Sequence, residues 1–105
     1  MNVGIIGFGN MGKAIYDKLS KENISFFVND KNQKKLNNNE IQITPLDKEI
    51  ECDYIILAVK PKDINKVKNL KWKGPLISIL AGVKIDVLNQ VFRNHKIVRL
   101  MPNTP

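Results

Sequence analysis

The sequence is poor in the residues that build covalent or metal-bound frameworks. It has one cysteine, Cys52, and one histidine, His95, among its 105 residues. A single cysteine excludes an intrachain disulfide and a cysteine-based metal cluster. No serine–histidine–aspartate triad or pair of catalytic carboxylates is recognisable, so no catalytic residue is assigned and no metal ligand is predicted. Cys52 precedes an apolar strand, which favours a buried structural thiol, and His95 lies in a polar turn, which favours an exposed side chain.

Long hydrophobic runs are also missing. No apolar stretch approaches the length of about 18 residues that a membrane-spanning helix needs. The amino terminus has neither the basic segment nor the long apolar region of a secretory signal. We therefore expect a cytoplasmic protein with no membrane partner, and the length allows one domain at most, residues 1–105.

Arginine is scarce: only two arginines contribute to the 17 basic residues, which exceed the ten acidic ones and give a formal net charge of +7. The lysines are spread along the chain, a pattern more typical of solvated surfaces than of a nucleic-acid partner. Trp72 lies among lysines and could stack on a base. A half-buried loop anchor is the more common role, so no nucleic-acid partner is predicted.

Apolar segments alternate between strand and helix patterns along the chain. Strands are predicted at residues 1–6, 24–28, 41–44, 53–59, 75–80 and 97–100. Helices are predicted at residues 10–20 and 61–70 and around residues 85–92, with one or two helical turns within 46–51. Repeated β–α–β units indicate an α/β fold: a single-domain, doubly wound, mostly parallel sheet of the Rossmann type.

A glycine-rich loop, GFGNMG at residues 7–12, separates the first strand from the first helix. This is the context that a dinucleotide-binding GxGxxG motif requires. Gly7 permits a tight turn, Gly9 leaves room for the pyrophosphate, and Gly12 lets the helix pack closely on the strand. The loop therefore predicts a site for an NAD-type cofactor.

The end of the second strand gives conflicting signals about which cofactor binds. Asp30 lies 18 residues beyond Gly12, near the position where a carboxylate binds the ribose hydroxyls of NAD. Lys31 and Asn32 follow, together with Lys34 and Lys35, and this segment could instead hold the 2′-phosphate of NADP. An ordinary turn at residues 29–32 is a third reading. The preference between NAD(H) and NADP(H) stays open.

Four segments together resemble the pyrroline-5-carboxylate reductase family. They are VGIIGFGNMGKA at residues 3–14, AVKP at 58–61, SILAGV at 78–83 and RLMPNTP at 99–105. The resemblance covers essentially the whole chain but only the family's amino-terminal half. It implies hydride transfer from NAD(P)H to the C=N carbon of 1-pyrroline-5-carboxylate, a cyclic imine carboxylate, in the last step of proline biosynthesis. It also implies that a helical domain, absent from these 105 residues, dimerises and supplies most of the substrate site.

The motif, the spacing and the resemblance together give a set of cofactor-binding positions. By resemblance, residues 6–11 line the pyrophosphate, residues 58–61 border the adenosine, and residues 79–81 and Asn103 lie toward the nicotinamide. The full set is Ile6, Gly7, Phe8, Gly9, Asn10, Met11, Asp30, Lys31, Asn32, Ala58, Val59, Lys60, Pro61, Ile79, Leu80, Ala81 and Asn103.

Two other functions remain possible from the sequence. A small hydroxyacid-type dehydrogenase would share the glycine-rich loop, although the closing MPNTP of residues 101–105 argues against it. A non-catalytic dinucleotide-binding module would need no substrate site at all. A homo-oligomer is expected only with the helical domain of the family.

Overall fold

The computed structural model describes residues 1–20, 22–30, 41–43 and 49–100. Its elements follow the predicted alternation of strand and helix. Within these residues, two α-helices and one 3-10 helix connect strands of a single sheet. In chain order the elements are β1 (Asn2–Ile6), α1 (Asn10–Leu19), β2 (Ser25–Asn29), β3 (Ile41–Ile43), β4 (Tyr54–Leu57), a 3-10 helix (Pro61–Lys66), β5 (Leu76–Ser78), α2 (Ile85–Val91) and β6 (Ile97–Arg99).

The six strands form one sheet in the order β3-β2-β1-β4-β5-β6. Each of the five neighbouring pairs is parallel. The chain starts in the middle of the sheet, adds strands on one side through β3, and then returns to add β4–β6 on the other side. The doubly wound fold predicted from the sequence is confirmed. The direction of winding reverses between β1 and β4, and ligands of such sheets bind at the carboxyl ends of the strands at this point.

The sheet separates two clusters of buried side chains. On the face that carries α1, Ile5 and Val28 pack with Phe8, Tyr16 and Phe26. The Tyr16 ring contacts both phenylalanines edge-on, at centroid distances of 5.8 Å to Phe8 and 4.9 Å to Phe26. We call this the α1 face.

The opposite face carries α2 and the 3-10 helix, and we call it the α2 face. Ile55 and Leu57 of β4 pack there with Leu88 of α2 and Ile64 of the 3-10 helix. Because side chains alternate along a strand, Ile56 points to the α1 face between these two. The strand is thus buried on both faces from Ile55 onward, as its unbroken apolar sequence predicts.

Two helical predictions differ from the structure. The segment expected to form an α-helix over residues 61–70 forms the shorter 3-10 helix Pro61–Lys66 instead. Residues 46–48 lie outside the described residues, and the rest of the predicted 46–51 turns is not helical. Glu51 forms a parallel bridge with Lys73, and the Cys52 N–H donates to the Lys73 carbonyl at 2.7 Å. Pairing with a segment 22 positions away in sequence satisfies the backbone hydrogen bonds at this point, so a helical turn does not form there.

The predicted exposure of two side chains was wrong. Trp72, expected to be half-buried, is only 2% exposed. The benzo edge of its indole lies over Gly4, where an added Cβ would come within 2.6 Å of the ring. His95, expected to be exposed, is partly buried, and its Nδ1 lies 2.8 Å from the Gly74 carbonyl oxygen. Since a carbonyl only accepts, Nδ1 carries the hydrogen and donates it.

Cys52 is buried, as predicted. Burial, and to a smaller extent the neighbouring negative charge of Asp53, raise the pKa of its thiol to about 11. The lysines also follow the sequence interpretation, since each one within the described ranges is exposed.

Candidate cofactor-binding site

The glycine-rich loop begins with a turn that only glycine fits. Gly7 has a φ of +93°, in the left-handed region, and its N–H donates to the Asn29 carbonyl at 2.7 Å. An added Cβ would lie 2.8 Å from the backbone of Ala58 and Val59. The turn after β1 therefore packs directly against the chain leaving β4, at the reversal of the sheet.

The other two glycines of the loop have opposite surroundings. A Cβ at Gly12 would collide with the Gly7 carbonyl oxygen, so this position holds α1 close to the turn. A Cβ at Gly9 would meet nothing within 4 Å. Gly9 is also exposed, so the loop presents its backbone to open space there. This is the arrangement expected if Gly9 leaves room for a ligand.

The start of α1 is electrostatically prepared for an anion. The helix begins at Asn10, its N-cap residue Gly9 has no side chain to accept a hydrogen bond, and its first turn contains no acidic residue. The first N–H groups of a helix have no intrahelical acceptor, and the helix dipole adds partial positive charge there. A phosphate is the ligand that such a terminus suits best.

Asp30 lies beside this loop at the end of β2. Its Oδ2 accepts a hydrogen bond of 2.5 Å from the backbone N–H of Phe8, and the residue is half-buried. The carboxylate is therefore fixed at the carboxyl edge of the sheet, next to the loop predicted to hold the pyrophosphate. Lys31 and Asn32, the other candidates here, lie outside the described residues.

The strand ends predicted to border the cofactor lie at the same edge. The Ala58 N–H donates to the Ile6 carbonyl at 2.8 Å, and the Ile79 N–H donates to the Leu57 carbonyl at 3.3 Å. The first bond places Ala58 beside the glycine-rich loop, and the second places Ile79 beside the end of β4, one strand further along the same edge. Asn103, predicted to lie near the nicotinamide, is outside the described residues.

Not every predicted position can present its side chain to a ligand. Ile6, Phe8 and Leu80 are buried in the two hydrophobic clusters, so only their backbone is available. Asn10, Met11, Lys60, Pro61 and Ala81 are exposed, and Ala58, Val59 and Ile79 are partly so. The described positions thus lie at one edge of the sheet. Some of them can offer a ligand only their backbone, and others can also offer their side chain.

Sequence reasoning missed Asn29. Its carbonyl oxygen accepts the N–H of Gly7 and so fixes the first turn of the loop. A main-chain contact of this kind leaves no mark in the pattern of side chains, and no motif could have pointed to it. His95 precedes β6 and so lies at the amino edge, away from the candidate site.

A concavity of about 750 Å³ also lies at the amino edge, lined by residues 68–74 with Glu49, Asn94 and His95. An ion pair borders it, with Lys73 Nζ 2.7 Å from Glu49 Oε1. The hydrogen bond and positive charge of Lys73 lower the pKa of the Glu49 carboxyl. Both side chains are exposed, so the pair adds little stability. None of the predicted cofactor-binding residues that the structure describes lines this concavity, so it is not the candidate site.

The described part of the chain has neither a group of metal ligands nor a membrane-spanning helix. No three His, Cys, Asp or Glu side chains within it are grouped closely enough to hold a metal ion. None of its helices has the length and apolarity needed to cross a bilayer.

Comparison with known proteins identifies relatives of this chain. Residues 2–82 match the model of the family described as NADP oxidoreductase, coenzyme F420-dependent. The pyrroline-5-carboxylate reductase of Aquifex aeolicus is 42% identical over 115 residues, covering 98% of this chain and 43% of the relative. The Synechocystis enzyme of the same name is 32% identical and is covered to 45% of its length. The chain thus spans less than half the length of these relatives.

Solved structures agree in fold. The 1-pyrroline-5-carboxylate reductase of Streptococcus pyogenes superposes with a TM-score of 0.74 at 26% identity, covering 98% of this chain and 43% of that one. A D-mandelate dehydrogenase superposes with a TM-score of 0.72 at 18% identity, over 94% of this chain and 40% of the other, and so shares the fold alone. The resemblance to pyrroline-5-carboxylate reductases seen in the motifs is confirmed. Because the family model matches well over half of the chain, this protein belongs to the family described as NADP oxidoreductase, coenzyme F420-dependent.

Proposed function

We propose that this chain is the cofactor-binding half of an NAD(P)H-dependent enzyme that reduces the C=N bond of 1-pyrroline-5-carboxylate to form proline. The observation that carries the proposal is the 42% identity to the Aquifex aeolicus reductase along 98% of this chain. The glycine-rich loop supports it physically, because its open position at Gly9 and the uncapped start of α1 suit a pyrophosphate.

The described residues fit a dinucleotide in an extended arrangement along the carboxyl edge. Gly9 and the first turn of α1 would receive the pyrophosphate, and Asp30 would receive the adenine ribose. Residues 58–61 would border the adenosine, and residues 79–81 would lie toward the nicotinamide. When bound, the reduced cofactor supplies the hydride, and the protein residues named here position it.

The fixed carboxylate of Asp30 bears on the choice of cofactor. A carboxylate accepts hydrogen bonds from the free ribose hydroxyls of NAD(H) but repels the 2′-phosphate of NADP(H). The family description names NADP, and Lys31 and Asn32 follow Asp30 directly in sequence. We therefore propose that both cofactors bind, with Asp30 favouring NAD(H).

Titration of the chain with NADH and with NADPH, with denaturation followed at each concentration, tests this part of the proposal. A ligand that binds only the folded state raises the free energy of unfolding as its concentration rises above Kd. Stabilisation by at least one dinucleotide is expected. Failure of both to stabilise the fold would overturn the assignment of the loop.

We further propose that the isolated chain binds the cofactor without turning over the substrate. The relatives are more than twice as long as this chain. Hydride transfer needs the imine carbon held at near-contact distance from the nicotinamide, and that positioning supplies much of the rate. In the described part of the carboxyl edge, the strand end at residues 79–81 provides one side of such a site and no evident proton donor. This proposal includes a cytoplasmic location. It also includes a homo-oligomer that forms only with the remaining part of the family's chain.

A steady-state assay checks this point. The 105-residue chain is assayed with saturating NADPH and pyrroline-5-carboxylate beside a fusion to the remaining part of the Aquifex aeolicus reductase. Turnover is expected only from the fusion. Comparable turnover by the short chain would show that the active site is complete before residue 105, and cofactor binding without turnover by either protein would favour a non-catalytic module.

A further inference from the structure

One face of the sheet becomes progressively uncovered toward β6. Five residues lie side by side across the strands in register: Val28, Ile5, Ile56, Ile77 and Val98. All five therefore point to the α1 face. Val28 and Ile5 are fully buried and Ile56 is 7% exposed, whereas Val98 is 43% exposed. The same apolar row passes from the core to solvent within three strands.

The next row toward the carboxyl edge repeats this pattern. Ile79 is partly buried against the α1 face cluster. Leu100 continues the ladder beyond β6, since its N–H donates to the Ser78 carbonyl at 2.8 Å, and it is 49% exposed. Leu100 is two positions after Val98 and so lies on the same face. We call Ile77, Ile79, Val98 and Leu100 the uncovered patch.

The topology explains why this patch is uncovered. Crossovers between parallel strands are right-handed, so connections that wind in opposite directions lie on opposite faces. The helix α1 joins β1 to β2 and covers that side of the α1 face. The 3-10 helix and α2 join β4 to β5 and β5 to β6, so both lie on the α2 face. None of the described helices therefore lies over β5 and β6 on the α1 face.

The composition of the patch indicates a covered surface. A sheet face that meets water carries polar side chains, whereas a parallel sheet is normally covered on both faces. The four patch residues are isoleucine, valine and leucine. Neighbouring strands lie about 4.8 Å apart, so two strands present a width of about 10 Å, which matches the diameter of one α-helix.

We propose that the uncovered patch is the docking site of one amphipathic α-helix from the part of the family's chain that lies beyond the region matched here. Two observations point to this occupant. The relatives carry more than half of their length outside the matched region. Leu100 belongs to the patch, so a segment following β6 starts at its rim.

A second copy of the chain fits the patch less well. A stable interface between proteins takes about 800 Å² from each partner. Four side chains that are each at least half buried expose far less than that. Docking of a helix on this face does not depend on the proposed reaction.

Cysteine labelling tests the proposal in the 105-residue chain and in its fusion to the remaining part of the Aquifex aeolicus reductase. Val98→Cys places a thiol in the patch. Val87→Cys is the matched control, because Val87 is 45% exposed on α2 at the other face. The native Cys52 is buried and contributes little background. The rate of reaction with a hydrophilic maleimide is measured for each variant in both proteins.

Labelling at Val98→Cys is expected to be about tenfold slower in the fusion, since a tethered segment at millimolar effective concentration with a Kd of about 0.1 mM is about 90% docked. The labelling rate at Val87→Cys should change less than about twofold, because no segment is proposed to dock on that face. Equal rates at Val98→Cys in the two proteins would overturn the proposal. So would slowing in the short chain as its own concentration rises, which would identify a second copy as the occupant.

Hydrogen exchange provides a reading without a substituted residue. The amides of β6 and Leu100 should exchange more slowly in the fusion than in the short chain, while the amides of α2 stay within about twofold after correction for global stability. Unchanged exchange at β6 would also overturn the proposal. Neither measurement requires cofactor or substrate, so its failure is distinguishable from failure of the proposed reaction.

Discussion

Alanine at Gly9 and alanine at Gly7 should separate ligand binding from folding within one loop. The two glycines are two positions apart, and both belong to the turn between β1 and α1. Gly9 has an ordinary extended φ of −79° and open space where a Cβ would project. Gly7 has a φ of +93° and backbone atoms 2.8 Å from that point.

The magnitudes follow from these surroundings. Alanine at Gly9 fits without strain, so stability should stay the same or rise by about 0.4–1 kcal/mol, because the unfolded chain loses conformational freedom. Alanine at Gly7 costs about 1–2 kcal/mol for the left-handed backbone and about 1–3 kcal/mol for overpacking against Ala58 and Val59. The free energy of unfolding should therefore fall by about 2–5 kcal/mol in the Gly7 variant.

Cofactor affinity, in contrast to stability, should fall in the variants at Gly9. Valine at Gly9 fills the space assigned to the pyrophosphate, and overpacking of about 1–3 kcal/mol raises Kd by about 5- to 150-fold. Gly9→Ala should show a smaller loss of the same sign. The wild-type chain and Gly9→Val would then differ in binding while unfolding at similar denaturant concentrations.

Urea denaturation gives the stability of each variant, and titration with NADH and NADPH gives the affinity. Gly82→Ala is a useful control for strain alone, because Gly82 has a φ of +76° but no atom within 4 Å of an added Cβ. Binding by Gly9→Val as tight as by the wild type would refute the assignment of the loop. A loss of stability in Gly9→Ala equal to that in Gly7→Ala would show that the space around Gly9 is not open.

Three further outcomes are expected. Gly4→Ala should lower the free energy of unfolding by about 1–3 kcal/mol, because the new methyl group meets the Trp72 ring, and native tryptophan fluorescence should report the displaced indole; an unchanged spectrum and stability would contradict that packing. Asp30→Asn keeps an acceptor for the Phe8 N–H but removes the negative charge. The ratio of the dissociation constants for NADH and NADPH should therefore shift about tenfold in favour of NADPH, which corresponds to a binding free energy difference of about 1.4 kcal/mol. An unchanged ratio would show that this side chain does not belong to the site. Cys52, with a pKa of about 11, should be about 0.1% thiolate at pH 8 and react with a disulfide reagent only as fast as the chain unfolds; rapid reaction of the native protein would show that the thiol is accessible.

The parts of the site that follow from local backbone requirements were predictable. Glycine at positions 7, 9 and 12 is dictated by a turn, an open approach and a close helix contact, and each requirement appears in the sequence as a fixed spacing. The place of Asp30 beside the loop was predicted from its sequence distance to Gly12. Its hydrogen bond to the Phe8 N–H was not, because a backbone donor has no sequence signature.

The parts that depend on distant partners were predicted poorly. Trp72 looked half-buried among lysines, yet Gly4, which is 68 positions earlier, leaves the space that buries it. At Glu51, where a helical turn was expected, the backbone pairs with Lys73 instead. In each case the competing partner lies far along the chain, and a local pattern carries no information about it. The assignment of each cofactor-binding residue stays a prediction, and Lys31, Asn32 and Asn103 also lie outside the described residues.

The place of β1 in the middle of the sheet has a consequence for the order in which the protein can form. β1 precedes both of its neighbours in the chain, and the later of them is β4. The Asn2 N–H donates to Asp53 Oδ2 at 2.7 Å, and the Asp53 N–H donates to the Asn2 carbonyl at 2.8 Å. At about 5–20 residues per second, the ribosome delivers that partner about 3–10 s after β1 itself. During this interval β1, whose residues from Val3 onward are buried in the finished domain, has an unpaired edge that is available to other nascent chains, so aggregation can compete with folding at this strand.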